Sequence, residues 1–420
     1  MISVEQHLSR ILGTVRRPPP VDLGLLDALG CVLAADVTSE VELPGFTNSA
    51  MDGYAVHAAD LADASEADPV TLPVVNDIPA GSTRSLSLAP GQSMRIMTGA
   101  PIPHGADAVV PVERTDAGLA QVAVRAPVAV GQHVRVNGVD VRAGDAVLHA
   151  GTRLGPRQLA LLAAVGTATV RVVPKPRVVV VSTGDELVGV GTHPGFGQVV
   201  DSNGLMITAA VRALDALPFR AGPVRDDARE LTAVLDDQLL RADAIITTGG
   251  VSAGAYDTVK EVLSRVGTMR FDKVAMQPGM PQGFGVLGEG QVPVFTLPGN
   301  PVSAMVSFEV FVAPALRAMA GRPEHEVALV PAVAEHDWTA PEGKTQFARV
   351  VLRPLPPVGA STDAGGRPCA YAASLAGAQG SNVLGGLAAA NALAVIPASV
   401  TQVRAGDVVR CHLVGPIMDS

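Results

Sequence analysis

Residues 247–263 read TTGGVSAGAYDTVKEVL. Ahead of them, Ala244-Ile245-Ile246 is the end of a buried strand; behind them, Val259, Val262 and Leu263 recur on one face of a helix. Between strand and helix lie Gly249, Gly250, Ser252 and Gly254, with a single acid, Asp257. Glycines at that place let backbone N–H groups approach an anion closely, a phosphate above all. Thr258 and Glu261 form a T-x-x-E capping box, which leaves Asp257 just outside the helix at the mouth of the loop. On its own, such a loop is as compatible with tight packing as with a phosphate site.

The surroundings repeat the pattern. RVVVVSTG, FRAGPV, DAIITTGG and QVPVFTLPG read as strands. DSNGLMITAAVRAL, ARELTAVLDDQLL, TVKEVLSRVG and a long run from NPVSAMV to ALRAMAG read as helices. Alternation of this kind predicts a doubly wound α/β domain with a parallel sheet over about 175–325. Ligands of such sheets bind beyond the carboxyl ends of the strands, near a switch in strand order. That rule singles out STGDE, with Thr183, Gly184 and Glu186; the glycine loop; and LPGNPVS, with Pro298, Asn300, Pro301 and Ser303. Asn300 suits an N-cap and Pro301 the first helical position, leaving the N–H groups of Val302 and Ser303 free.

Glu186, Asp226 (in PVRDD) and Asp257 then fall along one sheet edge. Carboxylates beside a phosphate loop repel the ligand unless a hard cation lies between them. Mg²⁺ does so, binding a few carboxylates together with phosphate oxygens. Each acid read alone is equally a helix-entry or turn residue. The sequence has neither a P-loop nor a G-x-G-x-x-G signature, which argues against an ATPase and a nicotinamide enzyme.

Outside this domain, Ser3 and Gln6 form a capping box for a first helix, stopped by RRPPP, and a second short helix is expected in VDLGLLDALG. From Ser39 to about residue 150, short apolar runs alternate with Gly/Pro turns, a β-rich insertion; a helix resumes at PRQLALLAAVG. From about residue 325 the chain returns to short strands and turns, so a small β domain closes it. Within the insertion, LPGFTNSAMDGYAV carries Asp52-Gly53, locally a turn, and SMRIMTGAPIP carries Thr98.

The 420 residues carry a formal charge of −9, with 48% hydrophobic and 3% aromatic residues. No basic stripe is available for nucleic acid. Cys31, Cys369 and Cys411 follow no ligand or disulfide spacing. Neither a signal peptide nor an apolar span is legible, so a soluble, cytoplasmic protein without membrane partners is expected.

In this order, NSAMDGYAV, RIMTGAPIP, STGDEL, TTGGVSAGAYD, QPGMPQ and LPGNPVSA resemble the molybdopterin molybdenumtransferases (MoeA), a family that includes the E domains of the plant molybdenum insertase and of gephyrin. The resemblance spans nearly the whole chain. It implies a homodimer with four domains per chain: a discontinuous helical domain (1–44 with 145–174), the β-rich insertion (45–144), the α/β domain (175–325) and a small C-terminal β barrel (326–420). The active site it implies lies between subunits, where the α/β domain of one meets the β insertion of the other. The implied activity is Mg²⁺-dependent insertion of molybdate into adenylylated molybdopterin with release of AMP. Partners would include molybdopterin adenylyltransferase and molybdoenzyme-maturation proteins. Carried over by motif, the catalytic set is Asp52, Thr98, Glu186, Asp257 and Lys273, with Glu186, Asp226 and Asp257 as metal ligands. Arg135, Asp140, Gln277, Arg349 and Ser381 join the three loops in binding substrate. Family members often have lysines where this chain has Gln277 and Met280, and a glutamate where it has Val139. Two other roles share these motifs: a non-catalytic or weakly active molybdopterin-binding scaffold, and adenylyl transfer to molybdopterin.

Overall fold

In the computed structural model, which describes residues 1–250, 258–322, 329–355 and 369–417, Arg177–Thr183 (β1) is a central strand of a six-stranded sheet. Its valines alternate between two cores. Val178 and Val180 face one side of the sheet and Val179 and Val181 the other, all fully buried. A continuous apolar run is what a strand covered on both faces requires. Each valine buried in this way contributes about 1.5–3 kcal/mol.

The chain has two compact units. The first comprises Met1–Val21, Gly30–Val32 and Val173–Ser420. It begins with helix α1 (Val4–Thr14), whose Ser3–Gln6 capping box is formed as expected. After β1 come α2 (Ser202–Ala213), β2 (Leu217–Val224), α3 (Ala228–Leu239), β3 (Ala244–Thr248) and α4 (Thr258–Val266). These are followed by β4 (Arg270–Lys273), β5 (Pro281–Leu287), β6 (Val292–Leu297) and α5 (Pro301–Ser307). The strand order is β2-β1-β3-β6-β5-β4. The first four strands are parallel; β5 and β4 run antiparallel and form the edge. From β1 the chain moves outward to β2, then returns past β1 to β3. The switch point therefore lies between the carboxyl ends of β1 and β3. Helices α1, α2 and α5 cover one face, with Ile11, Ile207, Val211 and Val302 in its core. Helices α3 and α4 cover the other through Leu231, Leu235, Val259 and Leu263.

Helix α5 continues through a π turn (Phe308–Val312) into the helix Ala313–Met319. By length and composition this stretch could cross a membrane, but 72% of it is buried within the protein. The same unit ends in a closed five-stranded barrel made of Leu329–Ala334, Thr345–Pro354, Tyr371–Leu375, Ala392–Ile396 and Val408–Leu413. Its interior is narrow and filled by small side chains, among them Ala332, Ala348, Ala373 and Ala394. Met276–Gln277 adds to the barrel beside Thr345–Gln346, so QPGMPQ is tied to the C-terminal domain.

The second unit, Asp22–Leu29 with Leu33–Val172, is β-rich as expected. Its five-stranded sheet has the order Ala108–Pro111, Gly53–Val56, Ser93–Ile96, Val70–Ile78, Gln121–Val124. The helix at Pro156–Ala164 is present. The short helix expected in VDLGLLDALG is not: Val21–Gly24 is a strand paired with Thr169–Val173, followed by turns up to Gly30. Gly30, with φ +82°, ends those turns in a conformation that suits glycine.

Buried titratable groups give the first unit a pH signature. Burial holds His7 and His412 down to about 4 and pushes Glu309 up to about 7. A depressed histidine favours the fold above its unfolded value of 6.5 and loses that contribution as pH falls toward 4. The raised Glu309 works oppositely: its contribution is full below 4.5 and lost as pH rises through 7. Glu309→Gln is therefore expected to equal the wild type near pH 4.5 and to exceed it at pH 8 by about 3 kcal/mol. Urea unfolding at the two pH values checks this; a gain confined to low pH would contradict it.

Candidate active site

A cavity of about 670 Å³ opens at the β1/β3 switch point. Its walls include Thr183 and Glu186 after β1, Thr248 and Gly249 after β3, and Pro298 to Pro301 after β6. Pro281, at the start of β5, also lines it. Among the described residues no lysine or arginine lines the cavity, and the charged ones that do are Glu186 and Asp201.

Local contacts explain how the loops come together. Gly249 has φ +98°, and a Cβ on it would lie 2.8 Å from the Thr183 carbonyl oxygen. The same Cβ would be 3.1 Å from the Thr183 hydroxyl. Glycine is needed there because the two strand ends touch. Gly184 has a different role. An added Cβ would meet Glu186 Oε2 at 2.5 Å, so the glycine leaves room for the carboxylate to fold back over the turn. Gly184→Ala is expected to displace that carboxylate and, because φ +154° strains any residue that has a Cβ, to lower the melting temperature as well; activity should fall at least tenfold, more than the loss of stability accounts for. Parallel kinetics and thermal unfolding check the split.

Asp185 holds neighbouring loops in register. Its Oδ1 accepts the Asp226 N–H at 3.2 Å, and the Thr258 hydroxyl donates to the Asp226 carbonyl at 3.1 Å. The loops of Glu186 and Asp226 and the start of α4 therefore lie side by side on one sheet edge. The capping-box reading of Thr258 needs correction: Thr258 is already the first helical residue, and Glu261 pairs with Arg265 at 2.8 Å. Ser252, Gly254 and Asp257 lie outside the described residues. Among the described residues, no group of three acidic, histidine or cysteine side chains converges to hold a metal.

At the third loop, Asn300 and Pro301 begin α5 as expected, but Asn300 makes no side-chain cap bond. Its Nδ2 donates to the Ser381 hydroxyl at 3.0 Å. The Val302 N–H, expected to be free, donates to the Ser381 carbonyl at 3.1 Å. Ser381 is thus brought onto the helix terminus beside the cavity, and Ser303 is buried behind it. Arg349 is turned inward: it is 1% exposed, and its guanidinium donates to the carbonyls of Ala378, Gly380 and Val383. In this position it shapes the segment that carries Ser381. Lys273 is exposed at the end of β4 and registers with the cavity residue Pro281. Gln277 is exposed beside the barrel strand, and Gly250 follows Gly249 with φ +71°.

Two wall residues escaped the sequence reading. Asp201 is buried, caps α2 through the Gly204 N–H at 2.8 Å and binds Arg220 at 2.6 Å. Asn203 donates to the Gly299 carbonyl at 2.6 Å, while its Oδ1 is buried without a partner. The D-S-N sequence before an apolar-periodic helix is the signal that marks both.

In the β-rich unit, Asp52 Oδ1 accepts the Thr98 N–H at 2.6 Å and the Thr98 hydroxyl at 2.8 Å. The Thr98 N–H, and then its hydroxyl, hold the Asp52 carboxyl below the usual carboxylate range. Gly99 donates to the Ser49 carbonyl, and Arg135 registers with Asn48, so Asp52, Thr98 and Arg135 lie in one loop cluster. Asp140 is exposed, its N–H bonded to the Leu43 carbonyl. The Asp52-Gly53 pair is more than a turn: Gly53 opens a strand paired on both sides, with Ala108–Pro111 and Ser93–Ile96.

Comparison with known proteins agrees along the chain. Residues 2–166 match the MoeA N-terminal region (domains I and II), residues 179–318 a probable molybdopterin-binding domain, and residues 331–414 the MoeA C-terminal region (domain IV). Molybdopterin molybdenumtransferase 2 of Mycobacterium tuberculosis is 45% identical over 412 residues, covering 97% of this chain and 98% of that one. Molybdopterin molybdenumtransferase 1 of the same species is 39% identical over 426 residues, again covering 97% and 98%. The crystal structure of the molybdopterin biosynthesis MoeA protein from Pyrococcus horikoshii OT3 superposes with a TM-score of 0.76 at 29% identity, covering 98% of this chain and all of that one.

Proposed function

The chain belongs to the molybdopterin molybdenumtransferase (MoeA) family, and from that premise we propose that it inserts molybdate into adenylylated molybdopterin with Mg²⁺-dependent release of AMP. The observation that carries this reading is the cavity at the switch point. Among the described residues its walls carry an exposed carboxylate, Glu186, and no cationic side chain. Such a lining suits a phosphoanhydride that arrives with its own divalent cation. Mg²⁺ is commonly held by one or two carboxylates plus substrate phosphates, without a prebuilt protein cage. Glu186 and Asp226 fit that mode, together with Asp257 from the adjoining loop. When bound, Mg²⁺ would neutralise the charge that develops on the departing phosphate.

The chain's own residues do the rest. The Gly249–Gly250 turn brings backbone close to the phosphates, and Thr183 fixes that turn. Ser381 and Asn300 set the helix-terminal wall, and the unpartnered Asn203 Oδ1 accepts from an N–H of a bound heterocycle. Lys273 supplies positive charge at the rim. We assign Asp52, Thr98, Arg135 and Asp140 to the same reaction, contributed by a second copy of the chain in a homodimer. Asp52, already bonded by Thr98, stays ionised at neutral pH and orients donors on the substrate. The expected setting is the cytoplasm.

AMP release from adenylylated molybdopterin, followed with Mg²⁺ and after chelation, tests the metal assignment. It should require Mg²⁺, and release unaffected by chelation would remove the metal from the proposal. Gln277→Lys adds a cation where relatives often carry one; it is expected to lower the KM for molybdate roughly tenfold, since one nearby unit charge is worth several kcal/mol before desolvation. An unchanged KM would place molybdate elsewhere.

A further inference from the structure

A second chamber of about 480 Å³ adjoins the first in the same unit, and Ser202 and Leu384 stand in the walls of both. Its lining is apolar, with Leu205 and Met206 from α2, Met305 from α5, Leu387 from the helix Leu384–Ala389, and Leu393 and Val414 beyond it. Among the described residues, the one ionisable group on this wall is Glu309.

Glu309 lies in the π turn Phe308–Val312. Turns of that kind insert an extra residue into a helix and occur often at functional sites. Among the described residues its carboxyl makes no hydrogen bond. His412 Nε2 lies 3.6 Å from its Oε2, and the Glu309 side chain is 12% exposed. Two other titratable groups bear on it. His412, from the barrel strand Val408–Leu413, is held neutral at physiological pH by burial. Arg317, from the helix after the π turn, acts on Glu309 through its charge but forms no ion pair with it and does not line the chamber. An apolar wall with one carboxyl that makes no hydrogen bond among the described residues is the composition of a small-molecule site in which a single polar group fixes orientation. Two methionines give such a wall an adaptable surface.

We propose that this chamber is a second ligand site, for a small molecule with an apolar body and one ammonium group seated on the Glu309 carboxylate. The cation supplies the charge-assisted hydrogen bond that the protein does not, and the apolar body fills the space between α2 and the helix Leu384–Ala389. This site does not rest on the catalytic reading and stands or falls separately. Because burial pushes Glu309 up to about 7, affinity for an amine should rise between pH 6 and pH 8 as the carboxyl ionises.

The test uses the full chain labelled at methionine methyl groups and three probes of equal length: hexylamine, hexan-1-ol and hexanoate. Hexylamine should shift the Met206 and Met305 resonances saturably, binding at least tenfold more tightly than hexanol, with hexanoate weakest. Glu309→Gln should abolish the preference for amine over alcohol while hexanol still binds. Ala209→Trp, which fills the chamber, should abolish all three responses. Equal binding of amine and alcohol by the wild type would overturn the proposal. So would responses confined to other methionines, or a chamber closed to all probes by self-association of the chain.

Discussion

Glu186→Gln is expected to leave the fold intact and to lower kcat/KM for AMP release by about 100-fold or more, the scale typical of losing one preorganised electrostatic group. Glu186 is the exposed carboxylate on the cavity wall after β1, and among the described residues it forms no ion pair. Its oxygens lie over Gly184 in space that a side chain at that position would take. Gln keeps that shape and removes the anionic ligand, so the Mg²⁺ concentration for half-maximal rate should rise along with the loss of kcat/KM. The neighbouring Asp185→Asn is the informative contrast. Asp185 bonds the Asp226 N–H and lies 3.7 Å from Arg225, so it holds loops together. It should cost much less activity and leave the Mg²⁺ dependence unchanged. Equal effects at both positions would mean that the loop is sensitive as a whole and that Glu186 has no separate role.

Gly53→Ala is expected to destabilise the β-rich unit by at least about 3 kcal/mol, beyond the ordinary range for overpacking a core. A Cβ at Gly53 would lie 1.9 Å from the Val110 carbonyl oxygen and 2.8 Å from its carbon. Those are backbone atoms of the paired strand, so no rotamer change relieves the contact. The strand must move, taking Tyr54 and Val56 out of their core. Gly13→Ala is the control. Nothing lies within 4 Å of a Cβ there, and the residue is helical, so the change should be neutral or stabilising by up to about 1 kcal/mol. Limited proteolysis and thermal unfolding separate the two outcomes.

Readability of the sequence followed the range of the interactions. The Ser3–Gln6 box, the valine run of β1 and the Asn300-Pro301 helix start are set by residues within a few positions, and each formed where expected. β4 and β5 were not legible. Gly283 and Gly285 interrupt the strand pattern, yet they are required because Phe271 and Met269 lie over them from the neighbouring segment. VDLGLLDALG misled because its leucines have helical spacing, while its partner strand is about 150 residues away at Thr169–Val173. The acidic loops were recognisable as a set and the helix begun by Asp201 as capped, but what Asp185 and Arg349 do, and the pairing of Asp201 with Arg220, was not. Each acts on backbone or on a side chain remote in sequence, and only the folded chain shows that their polar groups are already engaged. Gly53 was read as the second half of a turn because a local reading cannot see the strand beside it.

The most direct test of the proposed reaction is to incubate the full chain with adenylylated molybdopterin and Mg²⁺ and to quantify AMP and molybdenum-bound pterin together as molybdate is varied. Insertion predicts that both products appear in equal amounts and saturate with molybdate. AMP release that ignores molybdate, or no conversion at any molybdate concentration, would contradict it.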